Sequence, residues 1–268
     1  MAESLPRVML TLYASRIRSQ ATFKVSFFAE LLGQALVVAT EFMELWVILA
    51  QTQQLGGLTL PRVALVYGMA AFAFGIADMF FGEIDGLSDQ IKSGRLEVLL
   101  IRPVPLLLQL SSLDLNLRRL GRIVTGLALY LVSLVLCGVE PTLPHVLLAV
   151  IAPLAGAAIF GALLTMAGAM QFWLVDGREF ANAFTYGGNY VAGTPAAVFA
   201  LPMRVFFTFV IPATLVAYAP ALALLGLDGP AFVPSWAGWL GAPVAVVVWG
   251  VAAIVWRAGV RRYTGAGG

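Results

Sequence analysis

The stretch FFAELLGQALVVATEFMELWVIL, residues 27–49, consists mostly of apolar side chains. A helix of about 20 such residues crosses the hydrocarbon core of a bilayer. The stretch also carries three carboxylates, Glu30, Glu41 and Glu44, and an ionised carboxylate near the bilayer centre costs at least about 2.5–3.5 kcal/mol. Their spacing places all three within about 60° of one helical face. The stretch therefore predicts a membrane-spanning helix with one polar face.

The rest of the chain is also mostly apolar. Of its 268 residues, 60% are hydrophobic and 11% are charged, and the mean hydropathy is +0.92. Soluble domains contain about 25% charged residues, so the composition indicates an integral membrane protein. No stretch of about 100 residues has an ordinary mixed composition, and we expect no appended catalytic or nucleotide-binding domain. The single cysteine, Cys137, excludes an intramolecular disulfide.

Further apolar stretches follow along the chain. They cover residues 63–81, 123–139, 145–173, 180–201, 203–226 and 239–256. Seven crossings in all would place the C-terminal arginine cluster outside, against the positive-inside tendency. Pro212 and Pro220 divide residues 203–226 into short pieces, because each proline removes a helical hydrogen bond. We interpret this stretch as re-entrant and predict six spans.

The basic residues orient these six spans. With both termini on one side, every Lys and Arg except Arg62 and Arg204 falls on that side. Cytoplasmic loops carry an excess of positive charge, so we predict a multi-pass protein of the cytoplasmic (inner) membrane with both termini in the cytoplasm. Residues 3–20 combine apolar side chains at helical spacing with three arginines, which favours an amphipathic helix on the membrane surface. A solvated helix in a cytoplasmic contact is the alternative.

Motifs for nucleotide binding and for catalysis are absent from the sequence. There is no P-loop, no H-E-x-x-H and no G-x-S-x-G motif. The single histidine, His145, stands at a predicted outer span boundary, and a metal site needs several converging ligands. We expect this chain to bind no cofactor, no metal and no nucleic acid.

The carboxylates of the first span are the main candidates for a functional site. Their shared face has two interpretations, and both stay open. The face lies toward a translocation path or a subunit interface, or the carboxylates are paired locally or protonated in a packed bundle. Glu41 lies roughly 5 Å from the predicted bilayer centre, where it needs a partner, water or a bound proton. Asp78, near the inner end of the second span, is expected to pair with a cytoplasmic-side arginine.

The connection between the second and third spans, residues 83–122, is long and amphipathic. Its charged residues alternate with apolar ones, a pattern that predicts a helical surface in need of a partner or the membrane. The charged residues include Asp89, Lys92, Arg95, Glu97 and Arg102. Asp114 and Arg118, four residues apart, are expected to form a helical ion pair.

Within this connection, IKSGRLEVLLIRP at residues 91–103 resembles the cytoplasmic loop motif of type-2 ABC-exporter permeases. A second similarity lies downstream, in Thr194-Pro195, Leu201-Pro202-Met203-Arg204, Ile211-Pro212 and Pro220 to Leu224-Leu225-Gly226. Together the motifs extend the resemblance over essentially the whole chain. The sequence departs from the family pattern at Leu96-Glu97, where many relatives carry an acidic pair or Leu-Asp. Glu97 keeps the negative charge at this place.

The resemblance implies one all-α integral membrane domain over residues 1–268. Its parts would be six transmembrane helices, an N-terminal amphipathic interfacial helix at 1–22, a cytoplasmic coupling helix within 83–122 between spans 2 and 3, and external re-entrant helices at 202–226 between spans 5 and 6. It also implies two partners: a second copy or a related permease, and a separate ATPase subunit that holds ATP and Mg²⁺.

The resemblance further implies roles for particular residues. Coupling to the ATPase would involve Asp89, Lys92, Arg95, Leu96, Glu97 and Arg102. The external gate would involve Pro202, Arg204, Pro212 and Pro220.

These observations together predict a permease subunit of an ATP-driven exporter that moves a hydrophobic or amphipathic substrate. Glu30, Glu41 and Glu44 would lie along the substrate path, where an acidic face favours an organic cation over a polyanionic glycan. Two other classes stay open. One is an ion-coupled secondary transporter with Glu41 as its proton site, which would need no ATPase. The other is an intramembrane enzyme that modifies lipid-linked substrates through the same carboxylates.

Overall fold

The computed structural model describes residues 24–113, 119–174 and 177–263, and their regular structure is helical. The helices are α1 (Lys24–Thr52), α2 (Leu60–Phe81), α3 (Leu87–Lys92), α4 (Arg95–Leu100), α5 (Leu106–Leu113), α6 (Leu120–Leu136), α7 (Leu143–Met170), α8 (Gly177–Gly193), α9 (Leu201–Phe209), α10 (Tyr218–Leu225) and α11 (Gly241–Arg262). The predicted interfacial helix at 1–22 and the predicted pair of Asp114 with Arg118 lie outside the described residues.

Within the described residues, four helical stretches are long and apolar enough to cross a membrane. They are Phe28–Thr52, Leu60–Lys92, Leu143–Met170 and Ser235–Arg262. A fifth apolar stretch combines Leu201–Phe209 with Ala213–Leu225, and the two parts meet at an angle of 71°. α6 is apolar but has only 17 residues. The chain is therefore a multi-pass membrane protein, while the number of six spans stays a prediction.

α8 ends earlier than the predicted span at 180–201. The helix stops at Gly193 and is followed by a short 3₁₀ helix, Ala196–Val198. The reason is Pro195, which lacks a backbone N–H and disfavours helical backbone at the preceding residue. α8 is therefore shorter than the span that the sequence pattern predicts.

α2 lies at the centre of the bundle and packs along most of α6 and α7. A Cβ atom on Gly68 would lie 2.7 Å from the backbone nitrogen of Tyr130, and one on Gly126 would lie 2.6 Å from that of Phe72. Glycine at these two crossings lets the backbones of α2 and α6 touch, as small residues do between membrane helices. α1 packs on α6 and α2, and α8 packs on α7 and α2.

The connection between α2 and α6 folds back against one end of the bundle. Its apolar side chains form a core with the C-terminal ends of α7 and α11, and this core includes Ile84, Leu87, Leu96, Leu99, Leu110 and Trp256. Gln171, just after α7, fixes this core, because its Oε1 accepts hydrogen bonds from the backbone N–H and the hydroxyl of Ser88, each at 2.7 Å. Its Nε2 donates to the Ile84 carbonyl at 3.1 Å.

The predicted amphipathic helix in this connection is interrupted. Gly94, with a φ of +69°, separates α3 from α4. This left-handed backbone is readily available to glycine and ends the first of the two helices. The described part of the connection therefore consists of short helices anchored on the bundle.

Candidate functional site

An open cleft of about 230 Å³ lies between α1 and α8, beside Tyr67 of α2. We call it the α1/α8 cleft, and its lining consists of Glu41, Glu44, Leu45, Tyr67, Tyr186, Asn189, Tyr190 and Thr194. Two carboxylates, three tyrosines and an amide converge here at the depth of predicted spans. Such a combination of polar groups is costly in a membrane and typical of a functional site.

Glu41 is held by two neighbours within the cleft wall. Its Oε1 lies 3.2 Å from Nη2 of Arg122 in α6, and its Oε2 accepts a 2.8 Å hydrogen bond from the hydroxyl of Tyr67. The same hydroxyl lies 3.0 Å from the carbonyl oxygen of Val38. Glu41 is therefore paired locally, which was one of the two interpretations left open by the sequence.

Arg122 is nearly enclosed by the bundle. Its side chain is 7% exposed, and its guanidinium carbon lies 5.1 Å from the centre of the Phe74 ring. Nη1 is buried and makes no hydrogen bond within the described part of the chain. Because the desolvation of an arginine must be offset, Glu41 and the Phe74 ring are needed to keep this charge inside the bundle.

Glu44 differs from Glu41 although it lies one helical turn away on α1. Its side chain is exposed, and it forms no ion pair among the described residues. Arg122 pairs with Glu41, so Glu44 is a carboxylate of the cleft lining without a basic partner among the described residues.

Asn189 faces the carboxylates from α8. The residue is 9% exposed and lines the cleft, and its side chain makes no hydrogen bond within the residues that the structure describes. Tyr186 and Tyr190 flank it and are each more than half exposed. The Tyr186 ring also lies 6.2 Å from the Phe74 ring, which connects this wall to the Arg122 site.

The α8 wall and Tyr67 were not among the candidates predicted from the sequence. A signal was present in the sequence, because Asn182, Thr185 and Asn189 recur at spacings of three and four residues in an otherwise apolar segment. That pattern places them on one helical face. Which helix this face meets is set by the packing of the bundle.

The other predicted substrate-path residue, Glu30, is exposed on α1 and does not line the cleft. It stands 14 residues before Glu44, about 21 Å along a helix. The structure therefore brings two of the three carboxylates together in one cavity.

The residues predicted to couple to an ATPase divide into two groups. Asp89, Lys92, Arg95, Glu97 and Arg102 are exposed on α3, α4 and the turn after α4. Leu96 is fully buried in the core beneath the bundle. The side chain of Leu96 anchors α4 in this core, and the charged residues lie on the exposed surface.

A second charged group lies where α2 ends and α6 begins. Nε of Arg119 lies 3.2 Å from Asp78, and its Nη2 lies 3.2 Å from Glu83. The predicted pairing of Asp78 with an arginine is confirmed, while the cytoplasmic location of that arginine stays a prediction. This group ties the start of α6 to the C-terminal end of α2 and to the start of the connection that follows α2.

The residues predicted for the external gate lie around the bend between α9 and α10. Arg204 donates hydrogen bonds to the carbonyl oxygens of Ala196, Ala197 and Phe199 at 3.0–3.3 Å. Pro202 is in the first turn of α9, Pro212 is buried at the bend, and Pro220 is buried in α10. Arg204 thus fixes the chain between α8 and α9.

A larger cavity, of about 630 Å³, lies between α7, α11 and the bend. Its lining is apolar apart from Thr208 and includes Met166, Phe209, Leu215, Phe232, Trp236 and Val248. No charged side chain lines it. The α1/α8 cleft is therefore the better candidate for recognition of a particular chemical group.

The described residues thus form a helical multi-pass membrane protein with a polar cleft between its helices. Residues 35–267 match the sequence profile of the ABC-2 family transporter proteins, and the chain belongs to this family. The match confirms the resemblance drawn from the sequence motifs. No curated protein matches the chain.

Proposed function

We propose that this chain is the transmembrane subunit of an ATP-driven exporter. It moves a hydrophobic or amphipathic substrate across the cytoplasmic membrane, and a separate ATPase subunit binds and hydrolyses ATP with Mg²⁺. Family membership supports a transport subunit rather than an enzyme. In this proposal the chain crosses the membrane six times and has both termini in the cytoplasm.

The observation that carries the proposal is an apolar patch on the cytoplasmic connection. Val98, Leu100 and Ile101, which we call the tip patch, are 53%, 40% and 83% exposed. They lie at the end of α4 among exposed charged residues and are supported by the buried core around Leu96. An apolar patch with a polar rim on a rigid support is typical of a protein interface, and the ATPase subunit is the partner we propose for it.

A second permease subunit is supported by the exposed surface of α1. Its side chains are mostly exposed in the protomer, and Glu44 is among them. Lipid does not solvate an exposed carboxylate, so this face needs a partner subunit or a water-filled cavity. We propose that the faces of two subunits enclose the translocation path, with the α1/α8 cleft opening onto it.

The test is purification of the tagged full-length chain from the membranes of its own cells. We expect an ATP-binding subunit to co-purify and the complex to hydrolyse ATP. Changing Val98 and Ile101 to aspartate together should reduce recovery of the ATPase at least about tenfold, because buried apolar anchors dominate interface energies. Reversing the charges of Arg95 and Glu97 should have a smaller effect, since exposed ion pairs contribute only about 0–1 kcal/mol.

Ala231→Asp is the control, because Ala231 is exposed in the loop between α10 and α11, which we place on the external side. It should leave recovery of the ATPase unchanged. Undiminished recovery with the tip-patch variant would contradict the docking proposal. Transport driven by an ion gradient in the absence of any ATPase would instead favour the ion-coupled class.

A further inference from the structure

We propose that the α1/α8 cleft binds the cationic head group of an amphipathic organic substrate. The inference rests on the proposed transport function and names the class of substrate. Its basis is the charge of the cleft, its aromatic walls, an unpaired amide and its size.

The charge of the cleft selects for cations. Arg122 lies 3.2 Å from Glu41 and balances it, whereas Glu44 forms no ion pair within the described residues. One negative charge therefore remains at the mouth. In surroundings of low dielectric this charge attracts a cation and repels an anion more strongly than it would in water.

The walls of the cleft suit an organic cation. Tyr67, Tyr186 and Tyr190 line it from two helices, α2 and α8. The faces of aromatic rings attract ammonium groups, and several rings around one site are a known means of binding quaternary ammonium ligands. A small metal ion would instead need a shell of several oxygen ligands, and for Ca²⁺ that shell has about six to eight.

Asn189 is a separate indication of a ligand. The residue is nine-tenths buried and lines the cleft, yet its side chain has no hydrogen-bond partner in the described part of the chain. Polar side chains with so little exposure are normally paired, so an amide that borders the cleft without a protein partner is available to a ligand. The amide oxygen of Asn189 can accept a hydrogen bond from, or point its dipole toward, a bound ammonium group.

The volume of the cleft limits the size of the group that it can bind. A volume of about 230 Å³ is below the roughly 300–1,000 Å³ of sites that enclose a drug-sized ligand. The cleft therefore holds a head group, and an attached apolar tail extends through the open mouth toward the bilayer or the second subunit. This arrangement fits an amphipathic cation.

The test measures binding of tritiated benzyltrimethylammonium to the full-length chain in dodecyl maltoside micelles, with empty micelles as background. The uncharged detergent head group does not compete for the site. Neopentylbenzene has the same shape without the charge and serves as a competitor. We expect unlabelled cation to displace the probe and the neutral isostere to leave it bound.

Variants assign the binding to the cleft. Glu44→Gln should weaken binding about tenfold, and Asn189→Leu should weaken it about fivefold. Asn189→Asp adds a second uncompensated carboxylate and should strengthen binding about tenfold. Glu179→Gln removes an exposed carboxylate from the same helix as Asn189, about 15 Å away, and should change binding less than twofold.

The results separate this inference from the proposed function. Binding that is unchanged in Glu44→Gln, or equal competition by the neutral isostere, would overturn the inference, as would stronger displacement by Ca²⁺ than by the organic cation. A chain that co-purifies with an ATPase and fails this binding test keeps its proposed function and loses the proposed substrate class. Misfolding of a variant can only lower the measured binding, so the gain of affinity expected for Asn189→Asp cannot result from misfolding.

Discussion

Two neighbouring polar regions beside α1 differ in whether their carboxylate is paired. Around Glu41, a buried arginine, a tyrosine hydroxyl and an aromatic ring close the site. Around Glu44 and Asn189, the cleft is open, and neither side chain has a partner in the described residues. A closed charge network inside a bundle holds helices together, whereas an open polar site has free capacity for a ligand.

The difference shows that depth in the membrane alone does not assign a role to a carboxylate. Glu41 lies nearer the centre of its helix and is the one that the protein itself compensates. Glu44 is the one whose charge is available. We therefore expect stability to depend mainly on the first region and ligand binding mainly on the second.

The largest effect is expected when the closed network is broken. Glu41→Gln leaves the guanidinium of Arg122, which is 7% exposed, without a carboxylate. Removing one partner of a buried pair costs about 3–5 kcal/mol, and because Glu41 is one-third exposed we expect about 2 kcal/mol. The melting temperature of the purified chain in detergent micelles should fall by several degrees.

A second change checks the cause of this loss. Adding Arg122→Met to Glu41→Gln removes the unpaired charge and keeps an apolar side chain beside Phe74. The double variant should recover most of the lost stability, because an apolar replacement of an ion pair is often neutral. A double variant less stable than Glu41→Gln would show that the arginine is held by other groups.

An intermediate effect of opposite sign is expected at Thr185, four residues before Asn189 on α8. Its Oγ1 is buried without a hydrogen bond in the described part of the chain. Thr185→Val removes that unpaired hydroxyl with little change of shape and should raise stability by about 1 kcal/mol. The measurement is again the melting temperature in micelles.

Thr165 of α7 offers a matched comparison, because its buried Oγ1 donates a 2.8 Å hydrogen bond to the Gly161 carbonyl. Thr165→Val should therefore leave stability unchanged or lower it by about 1 kcal/mol. Equal shifts in the two variants would mean that the Thr185 hydroxyl is paired after all.

The smallest effect on stability is expected for Glu44→Gln. The side chain is exposed and unpaired, so the change should alter the free energy of unfolding by less than about 0.5 kcal/mol. Only the binding of a cation should respond. A loss of stability as large as that of Glu41→Gln would remove the distinction between the two regions.

Sequence reasoning identified much of the fold because the bilayer imposes a simple rule. Apolar stretches long enough to cross it stand out in the sequence, and four of them are single helical stretches in the structure. The pairing of Asp78 with an arginine was predictable because a charge near a membrane interface needs a partner. The exact end of α8 was missed, since the hydrophobic pattern continues past the break that Thr194-Pro195 introduces.

The candidate site was only half visible in the sequence. The carboxylates of α1 share a face because helical periodicity fixes their relative directions. Their roles differ because Arg122 and Tyr67 arrive from α6 and α2, and residues far apart in the chain meet only through packing. Asn189, Tyr186 and Tyr190 reach the same cleft by the packing of α8 on α2 and α7.

The sequence by itself determined that this protein is a helical membrane protein of a transporter family, because apolar length and local motifs are properties of short segments. Only the tertiary structure decided which carboxylate is paired and which is open. That choice depends on distances of about 3 Å between side chains of different helices, and local sequence patterns do not encode such distances. The difference between Glu41 and Glu44 is therefore a property of how α1, α2, α6 and α8 pack.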